Sequence, residues 1–195
     1  MANLRANKIV GIGSTDAGVT FDGPISLNTQ GYMYFPTGNT TDRGRGRAVF
    51  LGGGQPQTTV ISFTKIQSGG VAQGFGSLIT SRASLRGGSS STRGLSAHSA
   101  STVDNSIEYI TIPTQSNSTD FGDMSGTSSS GATGSNETRA VFWVGTVPST
   151  GNTIDFATIA TTGNTSDFGD MTVGVRHIDS MNSSTRCVIP GGWKA

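Results

Sequence analysis

Apolar residues along this chain fall in short clusters that alternate with polar ones, as in Val60-Ile61-Ser62-Phe63, Ile107-Glu108-Tyr109-Ile110-Thr111-Ile112 and Ile154-Asp155-Phe156-Ala157-Thr158-Ile159. A period of two sends successive side chains to opposite faces, which is how a strand buries one face and wets the other. The clusters are rich in β-branched and aromatic residues and are bounded by Gly, Asn, Ser and Pro, so they predict short strands joined by polar turns. No dozen-residue window both lacks a cluster of Gly, Ser or Thr and keeps apolar residues at a three-to-four spacing, so no helix is predicted. The expected fold class is all-β.

The clusters recur. An Arg that follows Thr or Gly and precedes a short apolar strand stands at Arg47, Arg93, Arg139 and Arg186, with separations of 46, 46 and 47 residues. After Arg47 comes Ala48-Val49-Phe50-Leu51 and a triple glycine; after Arg139 comes Ala140-Val141-Phe142-Trp143; after Arg186 comes Cys187-Val188-Ile189. A second strand of alternating Ile and aromatic residues ends at Ile66, Ile112 and Ile159. A third element follows as Phe75-Gly76-Ser77-Leu78, Phe121-Gly122-Asp123-Met124 and Phe168-Gly169-Asp170-Met171, and each unit closes on a Ser-rich stretch ending in Thr-Arg. Self-similarity at a fixed period marks a repeat architecture. The predicted organisation is an arm over 1–43 and a three-repeat β domain over 44–195, with units 47–92, 93–138 and 139–185 and a closing strand at 186–192. Periodicity assigns Arg47, Arg93, Arg139, Arg186, Phe75, Phe121, Phe168, Asp123 and Asp170 to the structure of the repeat. Because a guanidinium holds five donors in a fixed fork, the arginines are expected to tie neighbouring units through carboxylates or turn carbonyls. The aspartates are expected to cap their turns and pair with those arginines.

The order of apolar strand, second strand, aromatic-Gly-Asp-Leu/Met segment and Arg-bearing return resembles a kelch-type unit. More closely, Asn152-Thr153-Ile154-Asp155-Phe156-Ala157-Thr158-Ile159 and Gly163-Asn164-Thr165-Ser166-Asp167-Phe168-Gly169-Asp170-Met171 resemble the repeat of virion proteins from marine bacteriophages of the cyanophage type. The resemblance covers 44–192. Ser77 replaces the aspartate in the first unit, and Leu95-Ser96-Ala97-His98 replaces the glycine run in the second. The resemblance implies four-stranded propeller blades, yet propellers typically have four or more. Two architectures stay open, a partial propeller completed by oligomerisation and a closed three-fold β fold; the resemblance favours the first. It also implies a virion component assembled in the host cytoplasm.

The arm has another texture: Lys8-Ile9-Val10-Gly11-Ile12, then Val19-Thr20-Phe21, then Tyr32-Met33-Tyr34-Phe35. A β-rich segment this short encloses no core of its own. Ile9, Val10, Phe21, Tyr32, Tyr34 and Phe35 are therefore candidate contacts with the repeats or with another virion protein. The chain carries 29 Gly among 195 residues and only 33% hydrophobic residues, so packing must be economical. Its net charge of +1 argues against a dedicated nucleic-acid surface, and no apolar run approaches a membrane span. No apolar signal core follows Met1-Ala2-Asn3-Leu4-Arg5, which leads to the expectation of folding in a cytosol. The single Cys187 excludes an internal disulfide and is expected to be a buried, inert thiol.

The strings Asp120-Phe121-Gly122-Asp123 and Asp167-Phe168-Gly169-Asp170 could in principle share a calcium ion, but their repetition favours architecture over a site. His98 and His177 lie at non-equivalent places with no ligand partner at a repeated spacing, Gly11-Ile12-Gly13 lacks the helix of a dinucleotide site, and Arg43-Gly44-Arg45-Gly46-Arg47 reads as a junction. Asn117-Ser118-Thr119 matches a glycosylation sequon, as chance alone provides in so Ser/Thr-rich a chain. No catalytic, cofactor or metal site is predicted. Two functions remain: a non-enzymatic capsid decoration or tail-associated component that contacts other virion proteins in many copies, and a tail-fibre adhesin that grips a host surface glycan through Trp143 and Trp193.

Overall fold

The computed structural model describes residues 46–54, 56–66, 70–98, 104–129, 131–144, 151–175 and 177–194. The arm residues Ile9, Val10, Phe21, Tyr32, Tyr34 and Phe35 lie outside them. The described residues are all-β, with no helix. None of the sheets closes into a barrel.

The first sheet holds β1 (Arg47–Leu51), β2 (Thr58–Lys65) and β3 (Gln73–Arg82) in the order β1-β2-β3. The second holds β4 (Arg86–Ser89), β5 (Arg93–Ala97), β6 (Ser106–Thr111) and β7 (Thr119–Asp123), and the third holds β8 (Thr133–Ser135), β9 (Arg139–Trp143), β10 (Thr153–Thr158) and β11 (Ser166–Asp170). Both are antiparallel meanders in chain order. A last hairpin, β12 (Met181–Asn182) and β13 (Cys187–Val188), repeats only the first half of the pattern. The sheets do not break at the arginines as the period suggested. β4 and β8 precede Arg93 and Arg139 yet pair across those turns with β5 and β9, so each Ser-rich return opens the following sheet. The turns are tightened by a side chain three residues before each Arg: Ser90 Oγ, Asn136 Oδ1 and Ser183 Oγ accept the backbone N–H of Arg93, Arg139 and Arg186 at 3.1, 2.8 and 3.1 Å.

One irregularity recurs. The pairing register slips between Ile61 and Ser62, between Ile107 and Glu108, and between Ile154 and Asp155, so that Phe75, Phe121 and Phe168 are each the extra residue of a bulge in β3, β7 and β11. A bulge re-aims its side chain. Each Phe meets the aromatic ring of the adjacent strand edge-on, Phe75 on Phe63, Phe121 on Tyr109 and Phe168 on Phe156, at 6.0, 6.1 and 6.0 Å. Each aromatic ring is in turn covered by the repeat arginine, Arg47, Arg93 or Arg139, at 5.0, 4.4 and 4.7 Å.

Apolar clusters fill the space between successive sheets. Ile61, Phe63, Phe75 and Leu78 of the first sheet pack with Ile110 of the second. Leu95, Ala97, Ile107, Phe121 and Met124 of the second pack with Ala140, Phe142, Val144, Ala157 and Ile159 of the third. Trp143 and Ala132 of the third pack with Val175 and Ile178.

His98 closes the second of these layers. Its backbone is left-handed (φ 64°), its ring is fully buried against Phe142, and its Nε2 lies 3.1 Å from Thr133 Oγ1. Burial, with a smaller repulsion from Arg86, lowers its pKa from 6.5 to about 4. A folded-state pKa below the unfolded value gives stability that is complete above pH 6.5 and is lost as pH falls towards 4. The shift is worth about 3 kcal/mol at roughly 1.4 kcal/mol per unit. We predict that the unfolding free energy measured in urea falls by about 2–3 kcal/mol between pH 7 and pH 4.5 on this account. His98→Asn, which tolerates the left-handed backbone, should remove that part of the slope; an unchanged slope would assign the acid sensitivity elsewhere.

Candidate interaction surface between repeats

The polar chemistry of the chain is concentrated where one sheet meets the next, and it is the same at both complete junctions. The residue after each Phe-Gly is gripped by an Asn-Ser/Thr pair of the following sheet. Ser77 N–H donates to Asn117 Oδ1 (3.0 Å) and Ser77 C=O accepts from Ser118 N–H (2.9 Å). Asp123 N–H donates to Asn164 Oδ1 (3.0 Å) and its C=O accepts from Thr165 N–H (2.8 Å). This approach requires glycine: a Cβ on Gly76 would strike the Ser116 carbonyl, and one on Gly122, which is also at φ 140°, would strike that of Gly163.

Two residues on, a backbone N–H donates to a buried carboxylate on β6 or β10 of the following sheet. Ile79 N–H reaches Glu108 Oε2 (3.0 Å) and Ser125 N–H reaches Asp155 Oδ2 (2.7 Å). The hydroxyls of Ser118 and Thr165 donate to the same oxygens at 2.5 and 2.7 Å, and Ser125 Oγ adds 2.9 Å to Asp155 Oδ1. Both carboxylates are fully buried. At the first junction Arg82, also buried, adds ion pairs to Glu108 Oε1 (3.4 Å) and Asp104 Oδ2 (3.1 Å) and donates to the Ser106 carbonyl and hydroxyl. A buried charge is tolerated only when paired and hydrogen-bonded in this manner.

The repeat arginines complete the junctions. Arg47 Nη1 donates to the Ile112 and Pro113 carbonyls at 2.7 and 3.1 Å, and Arg93 Nη1 to the Ile159 carbonyl at 2.8 Å. Arg139 lies over Phe156 but reaches no carbonyl of a further sheet among the described residues, and Arg186 is exposed. Asp123 and Asp170 do not pair with the arginines as expected: the guanidinium forks of Arg93 and Arg139 lie over aromatic rings instead, and what the junction uses of Asp123 is its backbone. The period located Phe75 and Phe121, which are buried, and Phe168, which is exposed. Sequence reasoning missed Glu108, Asp155 and Arg82. The signal was present in Ile107-Glu108 and Ile154-Asp155, a carboxylate at one repeat position inside an apolar strand. Asn117-Ser118, read as a chance sequon, is half of the clasp.

The third sheet carries its side of the same junction, and among the described residues only the first half of a partner sheet covers it. Ser180 Oγ donates to the Thr133 carbonyl (2.8 Å) and Asn182 Nδ2 to the Ser135 carbonyl (2.7 Å), which fastens β12. Beside this hairpin a cleft of about 290 Å³ opens over Arg139, Trp143, Ile154 and Phe168. Trp143 is buried, so it offers no sugar-stacking face, and its indole Nε1 has no hydrogen-bond partner. Cys187 is exposed on the hairpin rather than buried; partial desolvation still pushes its thiol pKa up. Among the described residues no cluster of three or more His, Cys, Asp or Glu could hold a metal ion.

Compared with known proteins, the chain matches no family model and, at a significant level, no curated protein.

The two arginine environments predict different costs. Arg93→Ala removes a charged hydrogen bond to Ile159 and the cover over Tyr109, and should destabilise by about 2–4 kcal/mol. Arg139→Ala loses only the cover over Phe156, worth about 0.5–1 kcal/mol. Equal shifts in urea midpoint would show that the carbonyl bond contributes nothing.

Proposed function

We propose that the protein is a non-enzymatic structural component of a bacteriophage particle, a capsid decoration or tail-associated piece held in many copies by contacts with other virion subunits. The observation that carries this reading is where the reactive side chains lie. Glu108, Asp155, Arg82 and His98 are all buried between sheets; each carboxylate accepts a backbone N–H from the preceding sheet, and Arg82 ion-pairs with Glu108 across the first junction. Groups so engaged hold repeats together and are withheld from a substrate. The resemblance of the repeat to phage virion proteins supplies the setting. Four-stranded antiparallel meanders following one another in chain order are also what propeller blades are made of. The finer reading, a partial propeller completed by other subunits, rests on that likeness and on the half-built sheet at β12 and β13.

The adhesin reading keeps Trp193, which is exposed, but loses Trp143 to the interior. That removes one of the two stacking platforms of this reading; the other, Trp193, stands beside the His177 ring at 6.4 Å.

Quantitative mass spectrometry of purified particles tests the proposal. The account predicts that the protein co-purifies at a copy number set by the symmetry of a capsid or tail. Its absence from particles that are otherwise complete would overturn the assignment.

A further inference from the structure

The two ends of the run of sheets carry opposite halves of one junction. At the third sheet, Phe168 is 54% exposed, whereas Phe75 and Phe121 at the same repeat position are 4% and 2% exposed. A Cβ on Gly169 would meet nothing within 4 Å, where Gly76 and Gly122 press on the backbone of the next sheet. Arg139 is poised over Phe156 as Arg47 and Arg93 are over their own rings, but no carbonyl of a further sheet among the described residues receives it. At the first sheet, the complementary positions are bare: Ile66 is 66% exposed where Ile112 and Ile159 are 8% and 1%, and Phe50 is 56% exposed where Phe142 is 0%. Ile112 and Ile159 are the residues whose carbonyls accept the arginines of the preceding sheet.

We propose that the first sheet of a second copy of this chain docks on the third sheet of the first, extending the run of sheets head to tail. The incoming β2 fills the cleft over Trp143, Ile154 and Phe168, and the Ile66 carbonyl accepts Arg139. The incoming β1 takes the row of β13, to which it is equivalent. β12 and β13 share two residue pairs, and every residue from 181 to 188 is exposed. A second copy is the fitting occupant because its exposed positions are the ones that the interior junctions bury. The contact is heterologous, with different patches meeting, so it propagates or closes into a ring and does not stop at a symmetric dimer. This deepens the scaffold reading by naming the contact between copies. It is tested on purified protein, so its failure would leave the location on a particle untouched.

The experiment is sedimentation velocity on the full chain from low to high micromolar concentration, with Ile66→Asp at the head, Phe168→Asp at the tail, and Arg139→Glu as a second, exposed tail variant. Thermal unfolding of each variant confirms that it folds. The wild type should form dimers and higher species as concentration rises. Each variant alone should be at least tenfold weaker in self-association, because every contact in its sample carries one damaged face. An equimolar mixture of Ile66→Asp with Phe168→Asp or with Arg139→Glu should recover association and stop at a dimer, since the intact tail of one meets the intact head of the other. A wild type that stays monomeric, variants that associate as well as the wild type, or a mixture that fails to form dimers would each overturn the proposal.

Discussion

The bulge that carries Phe75, Phe121 and Phe168 is the constraint from which the remaining geometry follows. An extra residue in the last strand of each sheet turns the Phe ring onto the aromatic ring of the strand before it and leaves a glycine beside it, where the backbone of the next sheet comes within van der Waals reach. A side chain at Gly76 or Gly122 would push that backbone away and with it the Asn-Ser/Thr clasp. The repeat arginine then covers the aromatic ring and, at Arg47 and Arg93, crosses to the next sheet. One local irregularity therefore sets both the packing within a sheet and the distance to its neighbour.

That arrangement explains how a chain with 33% hydrophobic residues holds a layered β fold. Its apolar clusters are small, and between sheets the Glu108 and Asp155 carboxylates accept hydrogen bonds from groups at matching repeat positions. A buried carboxylate is costly when alone and favourable only when its oxygens are filled. Glu108 and Asp155 each receive a backbone N–H from the preceding sheet and a hydroxyl from their own. Shifting a sheet by one residue would send those carboxylates to the wrong face, so the polar layer fixes register as well as contact.

Much of this was legible in the sequence. The 46-residue period, the three strand patterns, the Phe-Gly landmark and the arginines could be read because they depend on local alternation and spacing. The phase of the repeat could not: a Ser-rich stretch before Arg93 looks like the end of one unit, and only the hairpin formed by the Ser90 hydroxyl and the Arg93 N–H shows that it begins the next sheet. Glu108 and Asp155 escaped notice because a single carboxylate in an alternating strand reads as solvent-facing. Its burial depends on a neighbouring sheet that sequence alone does not position. Asp123 attracted attention for its charge when its backbone was the part in use.

The central claim, that the first two sheets are each held by the clasp of the next and that the third has none among the described residues, is tested most directly by amide hydrogen exchange resolved by residue in dilute protein. The amides of Ser77 and Asp123, which donate to Asn117 and Asn164, should exchange orders of magnitude more slowly than an unprotected amide. The amide of Asp170 occupies the same repeat position with no such Asn among the described residues, and it should exchange close to the unprotected rate. Equal protection at all three positions would contradict the account.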